Sequence, residues 1–389
     1  MTPTRTELLT GSVAAAGLTA LVVSDRANVA WLTGFTGTAG TVVVTGAGTP
    51  TGTTLVIDGR YPLQAARQAP DVELVVDRST PTAVAAVLAR GLRAGTGSAR
   101  GTTGTPAAVR VGVETHVLTV DAHAALAAAI RQALPGTELV GAGRLVERLR
   151  RVKDSEELAA VGRACAVSVA ALEALVTGSA GPLAGRTERE VVRELDALLV
   201  AGGADAPAFD TIVAAGQNSA SPHHDATDRP LSPGDLVVVD FGARVDGYCA
   251  DMTRTLFVAG PDGATAAPWQ RELHALVARA NAAGRAAVVA GAGVAAVDAA
   301  ARDLIVAAGH GPDFAHGLGH GVGRDVHEDP LLQAAAAGNL AAGEVVTIEP
   351  GVYLAGRGGV RIEDTVVVRD GGVGPGVLTA SVRDLVAVA

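Results

Sequence analysis

A pair of carboxylates inside an otherwise apolar hairpin constrains the fold of this chain more than any other feature. The stretch LVVVDFGARVDGYCADMTRTLFV predicts two strands joined around the turn-forming pair Asp246-Gly247. Asp240 and Asp251 lie directly opposite each other if the loop spans residues 244–247, and they are diagonal neighbours on one face if the turn is a tight one. In either register, burying the two carboxylates requires cations or a shared proton.

A second acid-bearing hairpin follows in VVTIEPGVYLAGRGGVRIEDTVVV. Glu349 lies near the end of the predicted strand Val345–Pro350, and Glu363 lies inside the predicted strand Gly359–Val368. Acidic residues in strands usually face solvent. That explanation fits less well for acids in two matched hairpins, and the repetition hints at a duplicated half-domain.

A glycine-threaded segment, FAHGLGHGVGRDVHE, places His316, His320 and His327 close together in the chain. The H-x-x-x-H spacing of the first two would bind zinc on a helix. Each glycine costs a helix interior about 1 kcal/mol relative to alanine, so an extended backbone is predicted instead. Four carboxylates with one imidazole are too many for a tetrahedral zinc and favour harder divalent ions, Mn²⁺ first, with Co²⁺ and Zn²⁺ as competitors. Such a donor set suits two ions about 3.5–4 Å apart.

Composition excludes several classes of protein. The net charge of -9 over 389 residues gives no basic surface for nucleic acid or an anionic membrane. Arg5 is offset by Glu7, which is atypical of a secretory signal, and no uninterrupted apolar run has the length of a membrane span. Cys165 and Cys249 lack C-x-x-C spacing, so a disulfide framework is not indicated and a cytoplasmic location is expected.

The chain is predicted to form two domains. Short β-branched runs alternate with alanine-rich helices over residues 1–147, which indicates an α/β domain, with a low-complexity loop at 94–106. Residues 148–389 are predicted to be α+β, with helices on an antiparallel sheet. The predicted helices are Pro81–Leu92, Asp121–Leu134, one that starts at an Asp154 and Glu157 capping box, one from a Thr187 and Glu190 capping box to Val200, Pro268–Ala290 and Val294–Ala308.

Several of these motifs resemble a known family in their order and spacing. D-F-G-A-R-V-D-G-Y-C-A-D-M-T-R-T, H-G-L-G-H-G-V-G-R-D-V-H-E, I-E-P-G-V-Y and G-V-R-I-E-D-T are similar to segments of the metal-dependent aminopeptidase P and prolidase family. The resemblance covers residues from about 150 to the end and implies the pita-bread fold with pseudo-duplicated halves. SDRANVAWLTGFTGTAGTVVVT and DGRYPLQA resemble the creatinase-type N-terminal domain of that family.

The resemblance implies five metal ligands for two divalent ions, with Mn²⁺ foremost. Asp240 would chelate one ion, and Asp251 and Glu363 would bridge both. His320 and Glu349 would complete the second site, and Glu349 would also accept the proton of the metal-bound water.

The resemblance also implies catalytic roles for four other residues. His223 would approach the scissile peptide bond. His316 and His327 would hydrogen-bond the substrate and the developing oxyanion. Arg361 would orient the metal ligands.

The remaining histidines have simpler interpretations. His224 is expected to be a solvated loop residue, His274 to lie on a helix surface, and His310 to interact with a helix C-terminus. Tyr248 and Arg254 lie beside the first acid hairpin, where a functional role and a structural role are equally compatible with the sequence.

The implied function is that of a metallopeptidase, an Xaa-Pro aminopeptidase in which a metal-bridging hydroxide attacks the bond before proline. An Xaa-Pro dipeptidase, or prolidase, is the alternative, and G-F-T-G-T-A-G and D-G-R-Y favour the aminopeptidase. A creatinase-type amidinohydrolase would not need the five ligands, a non-catalytic peptide-binding module would have lost them, and a lyase stays open because a fold does not fix a reaction. The expected partners are a peptide with proline second and further copies of the chain, as a homodimer or higher homo-oligomer.

Overall fold

The computed structural model describes residues 3–45, 52–96, 109–177, 181–260 and 265–389. The chain divides into two compact units, Met1–Arg150 and Arg151–Ala389. The sequence places the domain boundary between residues 147 and 148. The loop predicted at 94–106 falls largely outside the described residues.

The first unit is a mixed sheet with helices on both faces. The strand order is β4-β3-β2-β1-β5-β6, with β1–β2 and β2–β3 antiparallel and the other pairs parallel. The strands are β1 (Ala20–Val23), β2 (Gly40–Thr45), β3 (Thr53–Ile57), β4 (Glu73–Val76), β5 (Arg110–Val113) and β6 (Glu138–Gly141). The helices are α1 (Arg5–Ala15), α2 (Arg26–Thr33), α3 (Pro62–Gln68), α4 (Thr80–Thr96), α5 (Val120–Ala133) and α6 (Leu145–Arg150).

Alternation along β1 shows why both faces are covered. Leu21 and Val23 belong to a core cluster with α1, α2 and α6, whereas Ala20 and Val22 belong to a second cluster with α4 and α5. Successive strand residues point to opposite faces, so an all-apolar strand must be packed on both sides. The predicted α/β class of this unit is confirmed.

The described residues of the second unit form two larger sheets, of four and five strands, each packed against a pair of helices, and two smaller sheets of three and two strands. The helices are α7 (Ser155–Val176), α8 (Glu188–Ala201), α9 (Pro268–Ala287) and α10 (Val294–Ala307). The strands before α9 are β7 (Ala206–Pro207), β8 (Ile212–Ala215), β9 (Leu236–Phe241), β10 (Ala243–Val245), β11 (Tyr248–Cys249) and β12 (Met252–Val258). Those after α10 are β13 (Gly319–Gly321), β14 (Glu328–Leu332), β15 (Val345–Ile348), β16 (Gly351–Leu354), β17 (Gly358–Arg361), β18 (Asp364–Val367), β19 (Gly376–Val377) and β20 (Val386–Val388).

The two larger sheets have the orders β20-β12-β9-β8 and β14-β13-β15-β18-β19. Neighbouring strands are antiparallel except for the parallel pair β12–β20. One core cluster joins α7 and α8 to β9 and β12, and another joins α9 and α10 to β15 and β18. Each half therefore buries its own apolar sheet face under its own helix pair, in agreement with the predicted α+β class.

The helix starts predicted from the sequence agree with the structure more closely than the predicted helix ends. Asp154 and Glu157 form the predicted capping box of α7, and Thr187 and Glu190 form that of α8. The end predicted for α9 at Ala290 is wrong, because the helix stops at Ala287 and the backbone of Val288 is extended. An alanine-rich sequence carries no local signal for that stop.

By length and composition alone, α7 could cross a membrane. The same test is passed by core helices of soluble proteins, and α7 contributes Ala160, Val161, Ala164 and Cys165 to a core cluster. Burial in that cluster accounts for its apolar character.

Candidate metal centre

The first acid pair lies on a hairpin with a tight turn. Val245 pairs with Tyr248 across Asp246 and Gly247, both of which have positive φ, as a two-residue hairpin turn requires. Asp240 consequently pairs with Thr253, so Asp240 and Asp251 are diagonal neighbours, which confirms the second of the two predicted registers.

The second strand of this hairpin is broken where Asp251 lies, between β11 and β12. Opposite this break, Gly242 separates β9 from β10, and a Cβ on Gly242 would overlap the carbonyl oxygen of Ala250. The close approach of the two backbones therefore explains the glycine of the D-F-G motif. Because the strand is interrupted at Asp251, the buried side chain of this residue does not have to point to the face that regular strand alternation would give it.

The second acid pair lies at a matching break. Ile348 pairs with Asp364 in one ladder, and Gly351 pairs with Arg361 in the next, with the same register. Glu349 and Glu363 occupy opposite positions in the gap between those ladders. The single strand predicted over 359–368 is thus wrong, because β17 and β18 are separated at Glu363.

His320 enters the site from β13, where the backbone is extended as predicted. A Cβ on Gly319 would overlap the carbonyl oxygen of Thr347, so β13 can approach β15 this closely only with glycine there. The Nδ1 of His320 donates to Gly321 O at 3.0 Å, which directs Nε2 toward the carboxylates. Nε2 lies 3.3 Å from Glu349 Oε1 and 3.6 Å from Asp251 Oδ2.

These side chains form a cluster that matches a metal site. Asp251, His320 and Glu363 each offer a ligand atom within 4.8 Å of the others. Asp240 Oδ1 is buried and has no hydrogen-bond partner among the described residues. A buried, unpaired carboxylate oxygen beside further carboxylates is a feature that a divalent cation stabilises.

The pKa shifts within the cluster also indicate a cation site. Burial and the neighbouring Asp240 carboxylate raise the pKa of Asp251 well above its usual range. Burial and Asp251 do the same to the pKa of Glu363. Although burial opposes it, hydrogen bonding to Glu349 raises the pKa of His320 to about 9. Ionised acids without compensating charge are therefore unfavourable here, and the donor set of carboxylate oxygens with one imidazole fits hard divalent ions.

Arg361 organises the carboxylates from one side. Its buried guanidinium donates from Nη2 to Asp240 Oδ2 at 2.6 Å and from Nε to Thr253 Oγ1 at 3.1 Å. The Thr253 hydroxyl in turn donates to Glu363 Oε2 at 2.7 Å. One arginine thus fixes Asp240 directly and Glu363 through a threonine.

Four further histidines and the five predicted ligands line one cavity of about 650 Å³, and the four are His223, His224, His316 and His327. The rings of His223 and His327 are exposed, and the ring centroid of His327 lies 4.4 Å from that of His320. His316 is half-buried, with Nδ1 donating to Gly317 O at 2.8 Å and Nε2 2.9 Å from the hydroxyl of Tyr353.

Comparison with known families identifies the second unit. Residues 159–370 match metallopeptidase family M24, and residues 5–152 match the creatinase/prolidase N-terminal domain. The chain belongs to metallopeptidase family M24. This membership confirms the predicted resemblance, the metallopeptidase class and the requirement for divalent metal ions.

Relatives of known name or structure cover nearly the whole M24 chain. The uncharacterized peptidase YqhT of Bacillus subtilis (strain 168) is 35% identical over 92% of both chains. An Xaa-Pro dipeptidase from Bacillus anthracis has a TM-score of 0.85 at 31% identity, covering 98% of this chain and 99% of that one. An X-Pro aminopeptidase from Thermotoga maritima MSB8 has a TM-score of 0.81 at 28% identity, covering 97% and 99%. These neighbours confirm the predicted pita-bread fold.

Three residues at the candidate site were not assigned a role from the sequence. Tyr353 is buried, accepts from Arg361 Nη1 at 2.9 Å, and lies beside His316, and burial raises its pKa to about 12. It ends the I-E-P-G-V-Y motif, which is the signal that could have identified it. Thr253 lies opposite Asp240, and Thr347 donates to Glu349 Oε1 at 3.3 Å from two residues before it. Strand alternation places each threonine on the same face as a nearby acid.

Two of the simple histidine interpretations are wrong. His274 is buried rather than on a helix surface, and desolvation lowers its pKa to about 4. His224 is not solvated, because its Nε2 pairs with the buried carboxylate of Glu188 at 2.9 Å. His310 follows the end of α10 as expected, and its ring pairs with Asp313.

Tyr248 and Arg254 are structural residues. The hydroxyl of Tyr248 donates to Glu157 Oε1 at 2.8 Å, and this hydrogen bond links β11 to α7. Arg254 Nη2 pairs with Asp364 Oδ1 at 2.9 Å, and Nη1 donates to the carbonyl oxygen of Glu363 at 2.6 Å. Arg254 therefore supports the backbone behind a candidate ligand without facing the cavity.

Proposed function

We propose that this chain is an Xaa-Pro aminopeptidase, which hydrolyses the bond between an N-terminal residue and a following proline. The cluster of acids and His320 in the cavity carries this proposal, because M24 is a metallopeptidase family and the cluster is suited to cations. The neighbours from Bacillus anthracis and Thermotoga maritima, an Xaa-Pro dipeptidase and an X-Pro aminopeptidase, support the choice of substrate.

The proposed metal ligands are Asp240, Asp251, His320, Glu349 and Glu363. Two divalent ions bound there, Mn²⁺ by preference and Co²⁺ or Zn²⁺ as competitors, supply Lewis acidity toward a carbonyl and lower the pKa of water. Arg361 and Thr253 hold the carboxylates in place for such ions.

The chain's own side chains account for substrate binding and proton handling. The exposed rings of His223 and His327 can donate to a substrate carbonyl oxygen as negative charge develops on it. Tyr353 fixes the orientation of His316 at the cavity wall. Glu349, 3.3 Å from His320, is the proposed proton acceptor.

The charges around the cavity favour longer peptides over dipeptides. Among the described residues that line it, none is a lysine, and the one arginine, Arg361, is already paired with Asp240. Two exposed acids, Asp210 and Asp225, lie in the lining beyond the proposed ligands. An Xaa-Pro dipeptide would bring its terminal carboxylate next to this acidic lining, whereas a longer peptide carries that charge farther away.

A dipeptidase is the second candidate, favoured by the name of the Bacillus anthracis neighbour. The deciding experiment strips the protein of metal, restores Mn²⁺, Co²⁺ or Zn²⁺, and compares Xaa-Pro, Xaa-Pro-amide and Xaa-Pro-Xaa with matched alanine peptides. We expect Mn²⁺-dependent cleavage of the proline peptides, with the tripeptide and the amide ahead of the dipeptide. Cleavage of the dipeptide alone would establish the dipeptidase, and equal cleavage of the alanine peptides would refute the proline specificity.

We propose a cytoplasmic homodimer or higher homo-oligomer as the working form. Buried free thiols at Cys165 and Cys249 support a reducing compartment. Light scattering on the purified protein tests the assembly, and a monomer at micromolar concentration would refute it.

A further inference from the structure

One buried carboxylate, that of Glu188, fastens the loop that carries His223. Glu188 is the first residue of α8, and its side chain is 0% exposed. Its Oε1 accepts from Ala215 N at 2.8 Å and from Asn218 Nδ2 at 2.9 Å. This oxygen therefore holds the chain just before the loop reaches the cavity.

The other oxygen of Glu188 holds the chain just after His223. Its Oε2 lies 2.9 Å from His224 Nε2, and it accepts from Thr227 N at 2.9 Å and from Thr227 Oγ1 at 2.7 Å. The two carboxylate oxygens thus fasten opposite ends of one segment, 215–227. Hydrogen bonds to an ionised acceptor are among the stronger ones in proteins.

The metal-site arginine provides a separate contact in the middle of this segment. Arg361 Nη1 donates to Pro222 O at 3.2 Å, directly before His223. His223 consequently lies between Pro222, held by Arg361, and His224, held by Glu188. Its exposed ring lines the cavity from that position.

We propose that Glu188 is a positioning residue for peptide hydrolysis, which aims the imidazole of His223 at the substrate by fixing the 215–227 segment at both ends. This inference rests on the proposed function, because it needs His223 to act on a peptide. Loss of the carboxylate leaves buried donors unpaired and lets the segment adopt other conformations. Small misplacements of a group that acts in the transition state are costly to rate.

The first test is Glu188→Gln, which keeps the shape of the side chain. The amide keeps only one acceptor oxygen, so the donors at one end of the segment lose their partner. We expect kcat/KM on a proline tripeptide to fall about 10- to 100-fold, mainly through kcat, with bound metal unchanged. The matched control is Glu190→Gln on the same helix, where the exposed carboxylate only caps α8, and it should leave kcat unchanged.

A double-mutant cycle with His223→Ala separates positioning from general support of the fold. If Glu188 acts through His223, Glu188→Gln should cost less than about threefold when His223 is already absent. An undiminished loss in that background would overturn the proposal. Thr227→Val removes the hydroxyl that donates to Glu188 and accepts from Arg229 N, keeps the Thr227 N donor to Glu188, and should lower kcat severalfold if Glu188→Gln does not fold.

Amide hydrogen exchange gives a readout that does not depend on activity. We expect faster exchange across 216–227 in Glu188→Gln and in Thr227→Val, but not in Glu190→Gln. Unchanged protection of that segment in both loop variants would refute the positioning role. A wild-type protein that cleaves no proline peptide would refute the proposed function, and the exchange result would still decide whether Glu188 fixes the loop.

Discussion

At the scale of single residues, Thr253 couples two parts of the candidate metal site. Its hydroxyl accepts from Arg361 and donates to Glu363, so one small side chain satisfies a buried cation and a buried acid together. Neither function is visible in the sequence, where Thr253 reads as an ordinary β-branched strand residue. The acids were predictable because a carboxylate in an apolar strand is unusual, whereas a threonine in a strand is common.

Thr253→Val should weaken metal binding while preserving the shape of the core. The hydroxyl is lost, so Arg361 Nε and Glu363 Oε2 lose a partner, and we expect metal affinity to fall about 10- to 100-fold. Titration of the metal-free protein against a competing chelator measures this. Thr255→Val on the same strand is the control, because among the described residues that hydroxyl bonds only the backbone of Arg361, and its loss should spare the affinity.

His274 should make stability depend on pH below neutrality. Its folded pKa of about 4 lies below the ordinary value of 6.5, so the unfolded chain binds a proton first as pH falls. Its contribution is complete above pH 6.5 and declines as pH drops toward 4, by about 2 kcal/mol between pH 7 and pH 5. Denaturant unfolding at both pH values should show a smaller decline for His274→Leu than for wild type, and identical declines would contradict the assignment.

At the scale of secondary structure, the sequence predicts helix starts and hairpin turns better than it predicts breaks within strands. The capping boxes of α7 and α8 and the turn at Asp246-Gly247 have local signatures, and all three are present. The breaks at Asp251 and Glu363 have none, because alternation continues through them in the sequence. They depend on how two neighbouring strands approach each other, which a single strand does not encode.

Gly319→Ala should disturb β13 and the ligand that follows it. The new Cβ would overlap the carbonyl oxygen of Thr347, so β13 must move away from β15 and take His320 with it. We expect a loss of about 1–3 kcal/mol in stability together with weakened metal binding, measured by denaturant unfolding and metal titration. Gly374→Ala is the control, since a Cβ there meets open space and should change neither quantity.

At the scale of the whole molecule, the candidate ligands come from both halves of the second unit. Asp240 and Asp251 belong to the half with α7 and α8, and His320, Glu349 and Glu363 belong to the half with α9 and α10. The family resemblance predicted this duplicated plan correctly.

Metal should therefore stabilise the wild-type fold, and the site acids should destabilise it when metal is removed. Asp251→Asn deletes one negative charge from the crowded cluster, so the metal-free variant should melt at or above the temperature of the metal-free wild type. Adding Mn²⁺ at about 100 times its Kd should stabilise the wild type by about 2.7 kcal/mol and the variant far less. Calorimetry with and without chelator decides, and equal stabilisation of both proteins would argue against Asp251 as a ligand.

The candidate ligands from the two halves are far apart along the polypeptide chain. Asp251 and Glu363 lie more than a hundred residues apart in the sequence, yet their carboxylates meet in one cluster. A cation bound by residues so distant in the sequence acts as a reversible cross-link. Because closing so long a loop costs entropy, the cation binds strongly only when the chain is folded. Chelation should then loosen the junction between the halves before it unfolds either helix pair, so proteolytic nicking in chelator should yield fragments the size of a half.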